Sequence, residues 1–365
     1  MSEQTAVAGE RNDDEERASG TRSSKDKKRR RRGNFAKDRK RLLMVCKEML
    51  GNEVAEIAYP GGKSRDAVLL TLQDGREVIA AVRKNQHRAG LEHEVLSALS
   101  SGGAPVPAVL GFDGETLLLQ QKLPGRRLSQ EIHEASADRL HRLLDSALYG
   151  LALAQGAGSA AGLDERLPAL GVGKDWINGL MRRPLVIGGY LQERPARPRV
   201  EALRKLLKVQ KPRFIKWDAR PGNAMVNADA VSWFDWEHSG TRNRMDDVAW
   251  LLCDEFTPDV PELESELIAR HLGAFADQMS LDQAHTYLRA YGVFHSVVRL
   301  GLILSLKKDE EWWDFDYCVA GDKVGVTLDC ALRVSLRAAR WADMQIETRP
   351  LSPWFEKIAD KLRTV

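Results

Sequence analysis

The sequence predicts an α+β fold in which a small, mostly antiparallel sheet comes first and a larger helical region follows. Three observations carry this expectation. Residues 50–123 alternate short apolar runs with Gly-Gly and Asp-Gly dipeptides, the pattern of strands joined by tight turns. Beyond Leu128 apolar residues recur at helical spacing over long stretches. Within that second region, FIKWDARPGNAMVNADAVSWFDW (Phe214 to Trp236) reads as strand, loop and hairpin, and sets Asp218, Asn223 and Asp235 beside apolar runs.

Taken in chain order, residues 1–33 hold almost no large apolar side chains and read as a disordered charged tail. Residues 1–41 carry 14 Lys/Arg and 8 Asp/Glu, a local +6, and the remainder is −3, which together give the chain's net +3. That balance excludes a generally nucleic-acid-binding surface. The tail's KDKKRRRRG run suits a tether to nucleic acid or an anionic surface, and no aromatics interleave it for base stacking. The N-terminus has no apolar signal region, and no apolar run approaches the roughly 18–20 residues of a membrane span. The four cysteines lack CxxC spacing and read as reduced thiols of a cytoplasmic protein.

AKDRKRLLMVCKEMLG places Leu42, Leu43, Val45, Cys46, Met49 and Leu50 at helical spacing and ends at Gly51. VAEIAYPGGKSRDAVLLTLQDGREVIAAV then reads as three strands, GLEHEVLSALSSGG as a helix, and APVPAVLGFDGETLLLQQKLPG as two strands joined at Asp113-Gly114. Helices follow in HRLLDSALYGLALAQGAG, RVEALRKLLKVQ, MDDVAWLLCDEF, PELESELIARHLGAFADQM, LDQAHTYLRAYGVFHSVVRLGLILSLKK and VTLDCALRVSLRAARWADMQ. The expected organisation is a tail (1–33), a sheet-plus-helix lobe (34–124) and a helical lobe (125–365), with a ligand cleft between the lobes.

Asp218 and Asn223 form a D-x-x-x-x-N loop that Pro221-Gly222 forces to turn. A loop of that length aims a carboxylate at a substrate hydroxyl while the amide oxygen reaches a metal. Asp235 ends the strand VSWFD, where a second hard oxygen ligand suits Mg²⁺ among phosphates.

The run KWDARPGNAMVNADAVSWFDWEHSGTRNRMDDVAWLL resembles the aminoglycoside phosphotransferase and choline kinase group. Its pattern is H-x-D-x-x-x-x-N, then I-D-W/F-E, a Gly, and D-x-A. Here those positions hold Asp218, Asn223, Asp235-Trp236-Glu237, Gly240 and Asp247-Val248-Ala249. EHEVLSALSSGGAPVPAVLGFDGETLLLQQKLPGRRL is similar to the group's upstream helix, its PVP strand start and its hinge exit, so the resemblance spans about residues 50–260. It implies a protein-kinase-like fold and an ATP- and Mg²⁺-dependent phosphotransferase acting on a small-molecule hydroxyl. Carried over, Asp218 is the catalytic base or the carboxylate that orients the substrate, and Asn223 and Asp235 hold Mg²⁺. Glu92 pairs with the strand cation, and Gln121 and Leu123 offer backbone groups to adenine. Gly61, Gly62 and Ser64 lie over the phosphates.

Two positions depart from the pattern. Lys216 stands where the loop histidine is usual, either bracing Asp235 or touching phosphate. The strand-lysine slot falls near Ala81 or Arg83, with Arg83 the choice and Lys84 the alternative; arginine is not a simple swap for lysine. These departures leave a second reading, a nucleotide-binding pseudokinase serving as an interaction protein. One of Asp246 and Asp247 is expected to N-cap the following helix. Trp312 and Trp313, in an acidic stretch, could line the acceptor pocket of a kinase for cationic substrates or simply pack between helices. The acceptor itself is not specified by the sequence.

Overall fold

The structure, a computed structural model, describes residues 39–59, 67–308 and 310–364. Residues 1–33, Gly61, Gly62 and Ser64 therefore lie outside the described residues. The chain divides into two compact units, one ending at Ser97 and completed by Pro107–Lys122, the other comprising Ala98–Val106 and Leu123 onward. An antiparallel sheet region thus precedes a larger helical region, the protein-kinase-like order.

In the first unit, helix α1 (39–50) stops at Gly51, whose φ of 62° is the left-handed conformation glycine adopts most freely. Strands β1 (Val54–Ala58), β2 (Ala67–Leu72), β3 (Glu77–Val82), β4 (Val109–Phe112) and β5 (Leu117–Gln121) form one sheet in the order β1-β2-β3-β5-β4. Every neighbouring pair is antiparallel. The β2–β3 turn carries Gly75 at φ 84°, and the β4–β5 turn is tied by Asp113, whose carboxylate accepts the N–H groups of Glu115 and Leu117. Alternate strand residues Leu70, Leu72, Val78, Ala80, Leu117 and Leu119 bury one sheet face against Leu42, Val45 and Cys46 of α1. Helix α2 (Gln86–Ser101) starts a turn earlier than its apolar pattern indicates, because the Asn85 side chain accepts the Arg88 N–H at 2.9 Å and caps it.

The second unit opens with β6 (Arg126–Arg127), α3 (Leu128–Glu134), α4 (Ala137–Ala160) and α5 (Leu163–Arg166). Next come α6 (Lys174–Leu191), α7 (Val200–Leu206) and β7 (Arg213–Ile215). Strands β8 (Ala224–Asn227), β9 (Ala230–Trp233) and β10 (Gly240–Arg242) lead into α8 (Met245–Leu252). The unit closes with α9 (Pro261–Phe275), α10 (Leu281–Lys307), α11 (Phe315–Ala320), α12 (Leu328–Asp343) and α13 (Ser352–Leu362). Two small sheets, β6-β8-β9 and β7-β10, hold the loops of interest. By length and composition alone helix α10 is long and apolar enough to cross a membrane. However, 78% of its most apolar window is buried, and it carries inward His295 and Arg299, so it is packed as a core helix. All four cysteines are buried free thiols.

Candidate active site

Strand β7 delivers Lys216, Trp217 and Asp218 to a loop whose backbone is unusual. Trp217 and Asp218 both sit at positive φ, 52° and 65°, and Asp235 does so at 62°. Left-handed backbone costs a non-glycine residue about 1–2 kcal/mol, so the surroundings must enforce it. Asp247 does much of this. Its buried carboxylate accepts the Lys216 N–H at 2.7 Å, the Trp217 N–H at 2.9 Å and the Gln155 amide at 2.8 Å. Burial raises the Asp247 pKa; those hydrogen bonds and the Lys216 charge pull against it. The expected N-cap role is corrected: Arg244 precedes α8 without a side-chain cap, and Asp246 and Asp247 lie inside the first turn. Asp246 instead pairs with Arg242 at 2.5 Å and accepts the Tyr287 hydroxyl at 2.9 Å. An acid whose oxygens are drawn across to neighbouring elements is not available to cap its own helix.

The loop's predicted residues come together. Asn223 donates its amide N–H to Asp218 Oδ2 at 2.9 Å and to the Asp218 carbonyl at 3.0 Å. This spends the amide nitrogen and leaves the amide oxygen to face elsewhere. The Phe234 N–H donates to the Asn223 carbonyl at 3.0 Å, extending the β8–β9 ladder by one pair and putting Asn223 and Asp235 at the same hairpin end. Lys216 is fully buried; its Nζ donates to the Asp235 carbonyl at 2.8 Å, reaches the Asp218 carbonyl at 3.4 Å, and lies 5.2 Å from the Trp236 ring centre. These hydrogen bonds go to backbone carbonyls of the loop and of the hairpin end. Gly222 lies close to Asp322, whose carboxylate would have to shift to admit a Cβ, since that atom would meet Oδ1 at 2.2 Å.

One important residue had escaped the sequence reading. Arg220 donates through Nε to Asp218 Oδ1 at 2.9 Å. Burial opposes its charge, but the carboxylates of Asp218, Asp322, Asp254 and Glu255 outweigh that and hold its pKa well above the ordinary value. Its position two residues past the aspartate was the available signal.

In the first unit, Arg83 follows the end of β3 and forms a two-pronged pair with buried Glu92, at 2.5 and 2.7 Å. Gln121 pairs with Val78 in the sheet and donates its N–H to Ala108, while half-buried Leu123 follows the strand's end. Among the described residues no group of three or more His, Cys, Asp or Glu is placed to hold a metal. Asp235 and the Asn223 amide oxygen nevertheless fit Mg²⁺, which is commonly held by one or two protein ligands and completed by phosphate and water. Trp312 lies 4.9 Å from Lys307 Nζ, and Trp313 packs edge-on against Tyr317.

The phosphotransferase enzyme family (APH) matches residues 56–291. No curated protein matches the chain in sequence. Among solved structures, the amicoumacin kinase hAmiN in complex with AMP-PNP, Ca²⁺ and Ami is 16% identical at a TM-score of 0.51, covering 74% of this chain and 89% of that one. The GDP and kanamycin complex of APH(2")-IIia is 17% identical at 0.50, covering 73% and 92%. A macrolide 2'-phosphotransferase type I is 17% identical at 0.50, covering 78% and 95%. At these identities the structural likeness speaks for the fold; the family match, across more than half of the 365 residues, places the chain in the phosphotransferase enzyme family.

Proposed function

We propose that this chain is an ATP- and Mg²⁺-dependent phosphotransferase that phosphorylates a hydroxyl of a small molecule. The observation that carries this reading is the tied knot at Asp218, in which Asn223, Lys216, Asp247 and the Asp235 backbone hold the loop. Preorganisation of this kind is what phosphoryl transfer asks of a protein, since catalysis there is mostly positioning and charge stabilisation.

In this reading Asp218 orients the acceptor hydroxyl. As the acceptor oxygen bonds to the γ-phosphorus, its proton passes to Asp218 and the bridging P–O bond breaks to release ADP. Asn223 Oδ1 and the Asp235 carboxylate would hold Mg²⁺, which supplies charge neutralisation on the phosphate oxygens. Arg83, paired with Glu92, takes the strand-lysine role toward the phosphates, with a fork suited to two oxygens. Lys216 replaces the loop histidine as a brace. Gly61, Gly62 and Ser64 are proposed to cover the phosphates, and Gln121 and Leu123 to face the adenine.

ADP release with an acceptor panel tests this. Asp218→Ala and Asp235→Ala should each lower turnover by about a hundredfold or more. Near-normal turnover in folded Asp235→Ala would contradict the reading.

A further inference from the structure

Arg220 binds Asp218 in a way that leaves most of its donors unused. A guanidinium carries N–H donors on three nitrogens in a rigid planar fork, and it saturates a carboxylate through two of them. Arg83 does this to Glu92, at 2.5 and 2.7 Å, and Arg299 does it to Glu255, at 2.7 and 2.5 Å. Arg220 does not. Its Nε alone donates, to Asp218 Oδ1 at 2.9 Å, while the Asn223 amide holds Oδ2 at 2.9 Å. The two terminal nitrogens of Arg220 have no hydrogen bond to any described residue. Nor are they sealed. The Arg220 side chain is 17% exposed and that of Asp218 21%, and neither terminal nitrogen is among the buried atoms that lack a partner.

The residue is also held in register with the loop. The Arg220 carbonyl accepts the Asn223 N–H at 2.9 Å and Pro221 follows it, so its backbone belongs to the turn that joins Asp218 to Asn223. Two other cations that touch this loop are committed to the chain itself. Lys216 is fully buried, and its Nζ turns to the backbone carbonyls of Asp218 and Asp235. Arg127 donates to the Gly222 carbonyl and pairs with Asp322 at 3.2 Å. Burial works against the charge of Arg220, but Asp218 and then Asp322 outweigh it and keep the guanidinium protonated.

A hydroxyl hydrogen-bonded to Asp218 lies about 3 Å from its carboxylate. The phosphorus it attacks is about 3–3.5 Å beyond. A guanidinium bonded to that same carboxylate, with its terminal edge open to solvent, adjoins the path of the phosphoryl group. We propose that Arg220 is a catalytic residue of the transfer: Nε fixes Asp218 while the two terminal nitrogens contact oxygens of the phosphoryl group as it passes. This deepens, and rests on, the phosphotransferase reading. The acceptor oxygen forms its bond to phosphorus, the bridging P–O bond breaks with its electron pair going to ADP, and the acceptor proton passes to Asp218. Arg220 neither gives nor takes a proton. It offsets the negative charge of the transferring oxygens and keeps Asp218 aimed.

The test needs no knowledge of the acceptor. The full chain is titrated calorimetrically with MgADP alone and with MgADP plus aluminium fluoride, which together mimic ADP and the phosphoryl group in transfer. The parent should bind MgADP about a hundredfold more tightly with the fluoride present. Arg220→Ala should lose about tenfold or more of that gain, while its Kd for MgADP alone stays within about threefold. Arg220→Lys, which keeps the charge but not the fork, should recover part of the gain. A residue that acted only through Asp218 would contribute nothing once Asp218 is gone. Arg220→Ala added to Asp218→Ala should therefore still cost about tenfold in affinity for the fluoride complex. No gain with fluoride in the parent, an equal gain in Arg220→Ala, or no further loss in the double variant each overturns the inference. Failure of the underlying reading is distinct: the parent then binds neither MgATP nor MgADP, and the inference falls with it.

Discussion

Asp247 offers the sharpest test of how the loop at Asp218 is held. Replacement by alanine removes an acceptor that serves three buried donors, the backbone N–H groups of Lys216 and Trp217 and the Gln155 amide. Gln155 keeps a second acceptor, the Arg244 carbonyl at 3.2 Å, so two backbone donors are orphaned outright. At about 1–3 kcal/mol for each unsatisfied buried donor, the loss is about 2–6 kcal/mol, reduced by relief of the carboxylate's own burial. Asp247→Asn keeps the volume but turns an amide N–H toward a donor, which should cost about 1–3 kcal/mol. The functional effect should exceed the stability effect, because the same bonds enforce the positive φ of Trp217 and Asp218. Displacing Asp218 by about an ångström should lower turnover roughly a hundredfold. Urea unfolding gives the stability change, and ADP release by the folded Asp247→Asn protein gives the rate. If Asp247→Ala unfolds within about 0.5 kcal/mol of the parent, or if folded Asp247→Asn retains full turnover, Asp247 does not hold the loop.

Three further expectations follow from particular contacts. Arg83→Gln removes the two-pronged ion pair with the buried Glu92 carboxylate and should lower stability by about 3–5 kcal/mol in urea unfolding, with Arg83→Lys recovering part of it; equal stability of all three proteins would refute the pairing. Gly158→Ala puts a methyl 2.2 Å from the buried Phe214 ring, and this overpacking should cost about 1–3 kcal/mol; an unchanged Tm would contradict it. Asp254 has a folded pKa raised by burial to about 7, so its contribution is present below the unfolded value and is lost as pH rises. The stability of Asp254→Asn relative to the parent should therefore increase from pH 4 to pH 7, and a difference independent of pH would contradict the assignment.

The parts legible in the sequence are those set by local periodicity and spacing. Strand alternation and the turns at Gly75 and Gly114 gave away the sheet, and the five-residue interval from Asp218 to Asn223 indicated the loop that the structure forms. Long-range partners were not legible. Arg220 joins carboxylates from positions 218, 254, 255 and 322, and no local pattern announces such a convergence. One of Asp246 and Asp247 looked like a cap because aspartate often opens a helix; the partners of Asp247 come instead from Lys216 and Trp217 in the loop after β7 and from Gln155 of α4. Helix α6 is hidden by Pro184 and three glycines, residues of poor helix propensity that tertiary packing tolerates. Helix α13 does carry readable signals, a proline at its start and Trp354, Phe355, Ile358, Ala359 and Leu362 buried at helical spacing.

The measurement that bears most directly on the central claim is the thermal midpoint of the parent and of Asp235→Ala with MgATP, with ATP plus EDTA, and with Mg²⁺ alone. Binding to the folded state alone raises the midpoint by mass action, and saturation at about a hundred times Kd is worth about 2.7 kcal/mol, or roughly 3–5 °C for a chain of 365 residues. The account predicts such a rise for the parent with MgATP only, and its loss in Asp235→Ala. No rise in the parent, or the same rise in the variant, contradicts it.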